Sequence, residues 1–137
     1  MSLVSDGEKL CFYAYDGSGA RKVRLLGLDA PEICQAGGVA ARIALQQLVA
    51  DQPVQVRVNF QDSYGRDLGY LRVDGRDVGA LLVSAGHAWS SRWHGRLGPY
   101  AAQEAAARAA GLGVFVDPAA LLPSDFRKRH GSCQTSP

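Results

Sequence analysis

The sequence predicts an α+β fold in which a small closed β-barrel of about five strands is covered by three helices. Residues 54–61 alternate apolar with polar side chains, which is the period-two pattern of a strand with one wet face. Residues 41–49 place apolar side chains at i, i+4, i+7 and i+8, which is one stripe of a helix. Strand and turn signals fill the rest of the first half, and two further helical patterns lie in the second half.

The first strands are predicted to form a hairpin. Residues 10–15 and 21–28 have the composition of strands and flank the turn sequence DGSG at 16–19. The first helix then follows the flexible glycine pair at 37–38, and it stops before the DQP segment at 51–53.

The middle of the chain is predicted to return to strands before the second helix. The alternating strand turns at residues 62–65, and a further strand covers 68–73. A tight turn at 74–75 leads into a helix over 78–85, which Gly86 ends.

The third predicted helix is the alanine-rich segment 99–111. Pro99 suits a first helical position and Gly111 suits a C-terminal cap. Residues 87–89, before it, are expected to be extended. The tail beyond Val116 contains Pro118 and Pro123 and the basic run RKRH at 127–130, which we expect to be solvated, so we expect the tail to be loop.

Length and composition bound the class of protein. A chain of 137 residues with 47% hydrophobic and 20% charged residues fits one globular domain. The apolar runs are too short to cross a bilayer, so we expect no membrane partner, and we expect a monomer. A net charge of +2 does not by itself indicate a nucleic-acid partner.

The three cysteines match no metal-binding spacing. A bridge between Cys34 and Cys133 would tether the tail to the body of the protein in an oxidising compartment. Free thiols are the alternative, and Cys11 is expected to be free in a strand. The compartment stays open, with a secreted or periplasmic location as our expectation.

The segment DAPE at residues 29–32 is the first candidate for chemistry. Pro31 has a fixed φ and forces the residue before it to be extended, so the strand must stop and bend there. Asp29 and Glu32 can then converge, and two close carboxylates suit a hard metal ion or an acid/base pair. The alternative is a solvent-exposed turn in which both carboxylates serve only solubility.

Four motifs in order make the chain resemble the staphylococcal nuclease (thermonuclease-like) family. They are VRLLGLDAPE at 23–32, DSYGR at 62–66, DGRDVGALLVSAGHAW at 74–89 and AAGLGVF at 109–115. The resemblance covers about residues 4–115, and the segment DPAALLPSDFR at 117–127 also looks like the tails of this family. We therefore assign the domain to residues 4–127, with a terminal tail at 128–137. It implies a five-stranded OB-fold barrel with three helices, and Ca²⁺-dependent cleavage of DNA and RNA backbones with little base specificity.

The resemblance also implies roles for individual residues. Asp29 would be a metal ligand and Ala30 would add its carbonyl oxygen. Glu32 would activate the attacking water, while Arg24 and Arg66 would hold the phosphate. This set suits phosphodiester hydrolysis, because charge develops on the phosphoryl oxygens and a general base is needed for the water. Strand alternation would separate Arg24 from Asp29, so a bulge or twist near Gly27 is expected.

The sequence departs from the family where a further metal ligand is usual. The family has an Asp-Gly-Asp-Thr segment, and this chain has Asp6-Gly7-Glu8-Lys9. Glu8 keeps a carboxylate but adds a methylene, and the Lys9 ammonium would repel a nearby dication. We therefore expect Glu8 to ligate the metal with reduced affinity, and activity to be reduced. A lost metal site is the alternative.

The expected substrate rim contains Tyr64, Arg92 and Trp93. Trp93 can stack on a base and Arg92 can meet a phosphate, as in proteins that bind single strands, so we expect single-stranded DNA or RNA as the favoured partner. Tyr64 can hydrogen-bond a terminal phosphate or pack the turn. The alternative function is a catalytically impaired OB-fold module that binds nucleic acid or a protein partner without cleaving.

Overall fold

The computed structural model describes residues 2–13 and 19–134. Its strands are β1 (Ser2–Asp6), β2 (Lys9–Tyr13), β3 (Ala20–Leu25), β4 (Leu28–Asp29), β5 (Gln55–Gln61), β6 (Asp67–Val73), β7 (Arg76–Asp77), β8 (Trp89–Ser90), β9 (Arg92–Trp93) and β10 (Arg96–Leu97). Its helices are α1 (Gly38–Val49), α2 (Val78–Ser84), α3 (Ala101–Ala110) and α4 (Pro123–His130), with a 3₁₀ turn at Gly113–Val116.

The main sheet has the strand order β1-β2-β3-β6-β5, and β7 pairs with β6. All neighbours are antiparallel except β3 and β6, which are parallel. The predicted α+β class is confirmed. Four strands of this path, β2, β3, β5 and β6, were predicted, and the edge strand β1 was not. Among the described residues, the hydrogen-bonded order is open between β1 and β5. The predicted hairpin is formed by β2 and β3, but residues 16–18 of its turn lie outside the described residues.

The predicted strand over residues 21–28 is broken at Gly27. This glycine has φ +85°, and a Cβ atom there would lie 2.8 Å from Cγ of Pro99 and 2.9 Å from the Tyr100 ring. Both facts favour glycine, because it alone has no Cβ and adopts this φ readily. The chain therefore leaves the main sheet after β3 and forms β4, which pairs with β8 in a separate two-stranded sheet.

The core lies between the main sheet and the first two helices. The predicted stripe of α1 is confirmed at Ala41, Leu45 and Val49, which are buried, and Leu45 and Val49 belong to the core cluster that also contains residues of β3 and β6. The expectation for β5 fails in part, because Val58 and Phe60 are exposed. The pairing of β5 with β6 shifts register between these two residues, and such an irregularity changes the face that Phe60 takes relative to the residues before it.

The C-terminal tail is helical where loop was expected. Helix α4 begins at Pro123 and ends at His130, so it crosses the expected boundary between the domain and the tail at residue 128. Proline is compatible with the first turn of a helix, since the N–H that it lacks has no intrahelical partner there. Within the described residues, no helix is long and apolar enough to cross a membrane.

Candidate active site

Close packing at Gly7 brings the β1–β2 turn against the end of β4. A Cβ atom on Gly7 would lie 2.7 Å from Cβ of Ala41 and 2.8 Å from Cβ of Ala30, so no side chain fits between the turn, α1 and β4. The carbonyl oxygen of Glu8 accepts a hydrogen bond of 2.8 Å from the N–H of Leu25. Glu8 is therefore held beside the end of β3 and next to the DAPE segment.

Glu8 is a buried carboxylate with too little positive charge around it. Its side chain is almost inaccessible, and Oε2 lies 3.8 Å from Nε of Arg24 with no hydrogen-bond partner. Burial raises the pKa of Glu8 to about 8, in opposition to the Arg24 charge, and the Asp6 and Asp29 carboxylates add to the rise. A carboxyl group in this state favours either a proton or a further cation.

Asp29 faces the same region. Burial raises the pKa of Asp29, and the positive charges of Arg24, Arg92 and Arg127 oppose the rise. The interruption of the strand at Gly27 explains how Asp29 and Arg24 come together although regular strand alternation would separate them. Glu8, Asp29 and Arg24 therefore form one charged cluster at the junction of β2, β3 and β4.

This cluster has the oxygen donors that a hard dication requires. Glu8 and Asp29 each carry a carboxylate, and Ala30, which is buried beside Gly7 of the β1–β2 turn, carries a backbone carbonyl. Within residues 2–13 and 19–134, no group of three or more His, Cys, Asp and Glu side chains is placed to hold one ion. The unpartnered Oε2 of Glu8 fits a cation ligand, because a buried carboxylate oxygen is costly to leave without a partner.

Lys9 does not enter this cluster as an ion-pair partner of Glu8. Its Nζ lies 3.4 Å from Oδ2 of Asp6, and Oδ1 of Asp6 accepts a hydrogen bond of 2.9 Å from the N–H of Glu8. The aspartate thus holds the lysine side chain at the β1–β2 turn. Asp6 would therefore partly neutralise the repulsion between Lys9 and a cation bound at Glu8.

Glu32 is held in a turn that follows Pro31. Its N–H donates to Oε1 of Gln35 at 3.0 Å, and its carbonyl oxygen accepts from the N–H of Gln35 at 2.8 Å. The side-chain Oε1 of Glu32 lies 3.1 Å from Nε of Arg127 on α4. The structure therefore pairs this candidate base with a residue from the far end of the chain.

Arg66 lies immediately before β6, which pairs with β3. Arg24 pairs with Leu68 across these parallel strands, and Arg66 precedes Leu68 by two residues. Strand geometry puts Arg24 and Arg66 on the same face with Cα atoms about 8 Å apart, a spacing from which two guanidinium groups can reach one phosphate. The Nε of Arg66 donates to Oδ2 of Asp62 at 2.6 Å, so this arginine is held in its turn.

The predicted substrate rim is partly exposed and partly occupied. Tyr64 is 82% exposed and Trp93 is 76% exposed, so both aromatic rings are open to a ligand. Arg92 is engaged instead: its Nη1 and Nη2 donate to the two carboxylate oxygens of Glu104 at 2.9 Å each, and Nη1 donates to the carbonyl of Ser90 at 2.6 Å. The structure therefore places Arg92 in a structural ion pair at the edge of the site.

Sequence reasoning missed Glu104. Its carboxylate is buried and accepts hydrogen bonds from Arg92, Arg108 and the N–H of Ser90. Burial by itself would raise the pKa of Glu104, but these hydrogen bonds outweigh it and the net pKa is lowered. The spacing of Glu104 and Arg108 on one helix, four residues apart, was the available signal.

Sequence reasoning also missed Arg127, which was assigned to a solvated basic run. The structure joins Cys34 to Cys133 by a disulfide, as one of the two cysteine alternatives required. Cys34 is two residues from Glu32, and Cys133 is six residues from Arg127. That bridge was the signal that α4 would lie near the DAPE segment. Cys11 is a free cysteine in β2.

Comparisons with known proteins give one consistent family. The family model described as "Staphylococcal nuclease homologue" matches residues 22–117. The chain is 38% identical over 120 residues to a micrococcal nuclease of Shigella flexneri, an alignment that covers 78% of this chain and 68% of the relative. It is 37% identical over 118 residues to the protein ParB of Escherichia coli, covering 78% and 67%. It is 29% identical over 126 residues to an uncharacterized endonuclease of Haemophilus influenzae, covering 92% and 70%.

Proposed function

Because the chain belongs to the staphylococcal nuclease family, we propose that it is a Ca²⁺-dependent phosphodiesterase that cleaves DNA and RNA backbones with little base specificity. One observation carries the proposal. Two carboxylates with raised pKa values, the buried Glu8 and the half-buried Asp29, converge with Arg24 next to the turn that holds Glu32. A pure binding module would need the arginine but would gain nothing from the carboxylates.

Glu8, Asp29 and the carbonyl of Ala30 would hold the calcium ion. Calcium takes oxygen ligands in varied geometry, which suits the longer side chain of Glu8. The bound ion supplies positive charge that stabilises the developing negative charge on the phosphoryl oxygens. The unpartnered Oε2 of Glu8 supports this assignment, because the ion would satisfy a buried oxygen that is otherwise unpaired.

Glu32 would orient the attacking water and accept its proton. Arg127 contacts Oε1 of Glu32, so Oε2 would be the oxygen that faces the water. Arg24 and Arg66 would bind the non-bridging oxygens of the scissile phosphate and neutralise their charge as the attack proceeds in line with the leaving oxygen. Both arginines are already oriented by carboxylates, since Arg24 faces Glu8 and Arg66 is bound to Asp62.

The exposed rings of Trp93 and Tyr64 support a preference for single-stranded DNA or RNA. Unpaired bases stack on aromatic side chains, and such stacking tolerates any sequence. Contacts to the phosphate backbone carry no base information, which agrees with low base specificity. The proposal also includes a monomer in a secreted or periplasmic location, and the Cys34–Cys133 disulfide supports an oxidising compartment.

We also propose that Glu8 and Lys9 lower the activity relative to a site with two aspartates. The extra methylene of Glu8 displaces its carboxylate by about 1 Å or more, a shift that can cost ~10²-fold in rate. Lys9 adds a positive charge next to the cation, although Asp6 offsets part of it.

The test is degradation of single-stranded DNA by the purified protein, with Ca²⁺ and with a chelator. We expect calcium-dependent cleavage, and we expect Glu32→Gln to lose it while binding DNA as before, because the amide cannot accept the proton. The binding-module alternative predicts no cleavage by either protein, with DNA binding that weakens steeply as salt rises. Equal cleavage by the two proteins would refute the role of Glu32.

A further inference from the structure

Helix α4 is fastened to the body of the protein at both ends. Before the helix, Nε2 of Gln35 donates to the carbonyl of Leu121 at 2.7 Å, and Leu122 packs against the second apolar cluster, which contains Trp89 and Phe115. After the helix, the disulfide joins Cys133 to Cys34, and the N–H of Cys34 donates to Sγ of Cys133 at 3.1 Å. Both attachments are to the segment that carries Glu32 or to residues packed beside it.

Between these ends the helix is loosely packed. Among its eight residues only Pro123 is buried, and Phe126 is half-buried. A hollow of about 370 Å³, lined in part by Trp89, Val114, Phe126 and His130, lies between the helix and the body. Because little apolar surface is buried, the position of α4 depends on the attachments at its ends.

The position of α4 determines one contact at the candidate active site. Nε of Arg127 lies 3.1 Å from Oε1 of Glu32, and half of the arginine side chain is exposed. An ion pair of this exposure is weak when its partners are free to move. The disulfide keeps the two groups close together, so less conformational entropy is lost when the ion pair forms, and the pair persists.

We propose that Arg127 is a positioning residue for Glu32, and that the Cys34–Cys133 disulfide keeps Arg127 next to Glu32 by holding α4 in place. This inference rests on the proposed function, in which Glu32 acts on the attacking water. The nearest contact joins Nε of Arg127 to Oε1 of Glu32, and in this role it restricts rotation of the carboxylate while Oε2 serves the water. A blocking role would instead require the guanidinium to cover both oxygens.

The test compares single-stranded DNA cleavage by four oxidised proteins: wild type, Arg127→Ala, Arg127→Lys and Arg129→Ala. Arg129 is the matched control, because it is an exposed arginine on the same helix. We expect Arg127→Ala to lower kcat about tenfold or more with little change in KM, as is usual for groups that orient a reacting residue. Arg127→Lys should recover part of the loss, and Arg129→Ala should keep the wild-type kcat.

Cys133→Ser examines the disulfide separately. We expect its kcat to fall in the same sense, and the double variant Cys133→Ser/Arg127→Ala to be no slower than the slower single variant, because both changes remove the same contact. Hydrogen exchange of the α4 amides gives a readout that needs no activity. We expect faster exchange in Cys133→Ser than in wild type, while the melting of each variant shows that the remaining fold is intact.

The outcomes separate the two hypotheses. Cleavage by wild type that requires Glu32, together with unchanged kcat in Arg127→Ala, would overturn the positioning role alone. Faster cleavage by Arg127→Ala would also overturn it and would mean that Arg127 restrains Glu32. A higher KM with unchanged kcat would make Arg127 a phosphate contact instead. A wild-type protein that does not cut would overturn the proposed function and the role of Arg127 with it.

Discussion

Replacing Glu8 with glutamine should stabilise the protein at alkaline pH. Burial raises the pKa of Glu8 from 4.5 to about 8, so between these values the folded protein holds a proton that the unfolded chain has released. The free energy of unfolding therefore falls as pH rises through this window, by about 1.4 kcal/mol per pH unit. Over the whole window the loss amounts to about 5 kcal/mol. Glutamine has nearly the same shape and no ionisation, so Glu8→Gln avoids this loss.

The assay is urea unfolding of wild type and Glu8→Gln at intervals from pH 4 to pH 9, without divalent cations. The difference in the free energy of unfolding should be small near pH 4, where the folded glutamic acid resembles glutamine. It should grow in favour of the variant toward about 5 kcal/mol near pH 8 and then level off, because Glu8 is ionised in both states at higher pH.

Asp62→Asn is a control for which the free energy of unfolding should change with pH in the opposite direction. Hydrogen bonds from the N–H of Arg66, from its side chain and from the N–H of Tyr64 lower the pKa of Asp62. Its contribution to stability is present above the unfolded pKa and is lost as pH falls through the folded one, so Asp62→Asn should destabilise at neutral pH and approach wild type in acid. A difference between wild type and Glu8→Gln that does not change with pH would refute the reasoning about burial.

Two further variants probe the rim of the site and its support. Trp93→Ala should weaken binding of single-stranded oligonucleotides by about 1–3 kcal/mol at fixed salt, measured by fluorescence anisotropy, without changing the melting temperature, because the ring is exposed; unchanged affinity would remove Trp93 from the substrate rim. Glu104→Gln should destabilise the protein by about 2–4 kcal/mol in urea unfolding, since it weakens the buried ion pairs that hold Arg92 and Arg108. A loss below about 1 kcal/mol would mean that these arginines find other partners.

Local patterns predicted the parts of the fold that depend on neighbours in sequence. The apolar stripe of α1 could be predicted because Ala41, Leu45 and Val49 repeat at the helical period. The interruption of the strand at Gly27 could be predicted because regular side-chain alternation along a strand would not bring Arg24 and Asp29 together. The exposure of Phe60 could not be predicted, because the register shift against β6 depends on the partner strand and does not alter the period-two pattern in the sequence of β5.

In the candidate site, too, features set by neighbouring residues could be predicted, and features that depend on distant residues could not. Asp29 and Glu32 were recognised from one short motif, since Pro31 makes the bend between them. The buried state of Glu8 depends on the contact of Gly7 with Ala41, a residue on the first helix, so the pKa shift could not be anticipated from the segment around Glu8. Arg127 lay in a basic run whose composition indicates solvation, and only the alternative of a bridged Cys133 pointed elsewhere.

The disulfide shortens the covalent route between the two ends of the site. The cysteines are 99 positions apart along the backbone, yet through the sulfur bridge Glu32 is connected to Arg127 by two residues on one side and six on the other. Once the bridge exists, their meeting is closure of a short loop, which takes about 10–100 ns for ten residues. The contact can therefore form before the intervening domain is complete, and it can re-form quickly after the last helix transiently detaches.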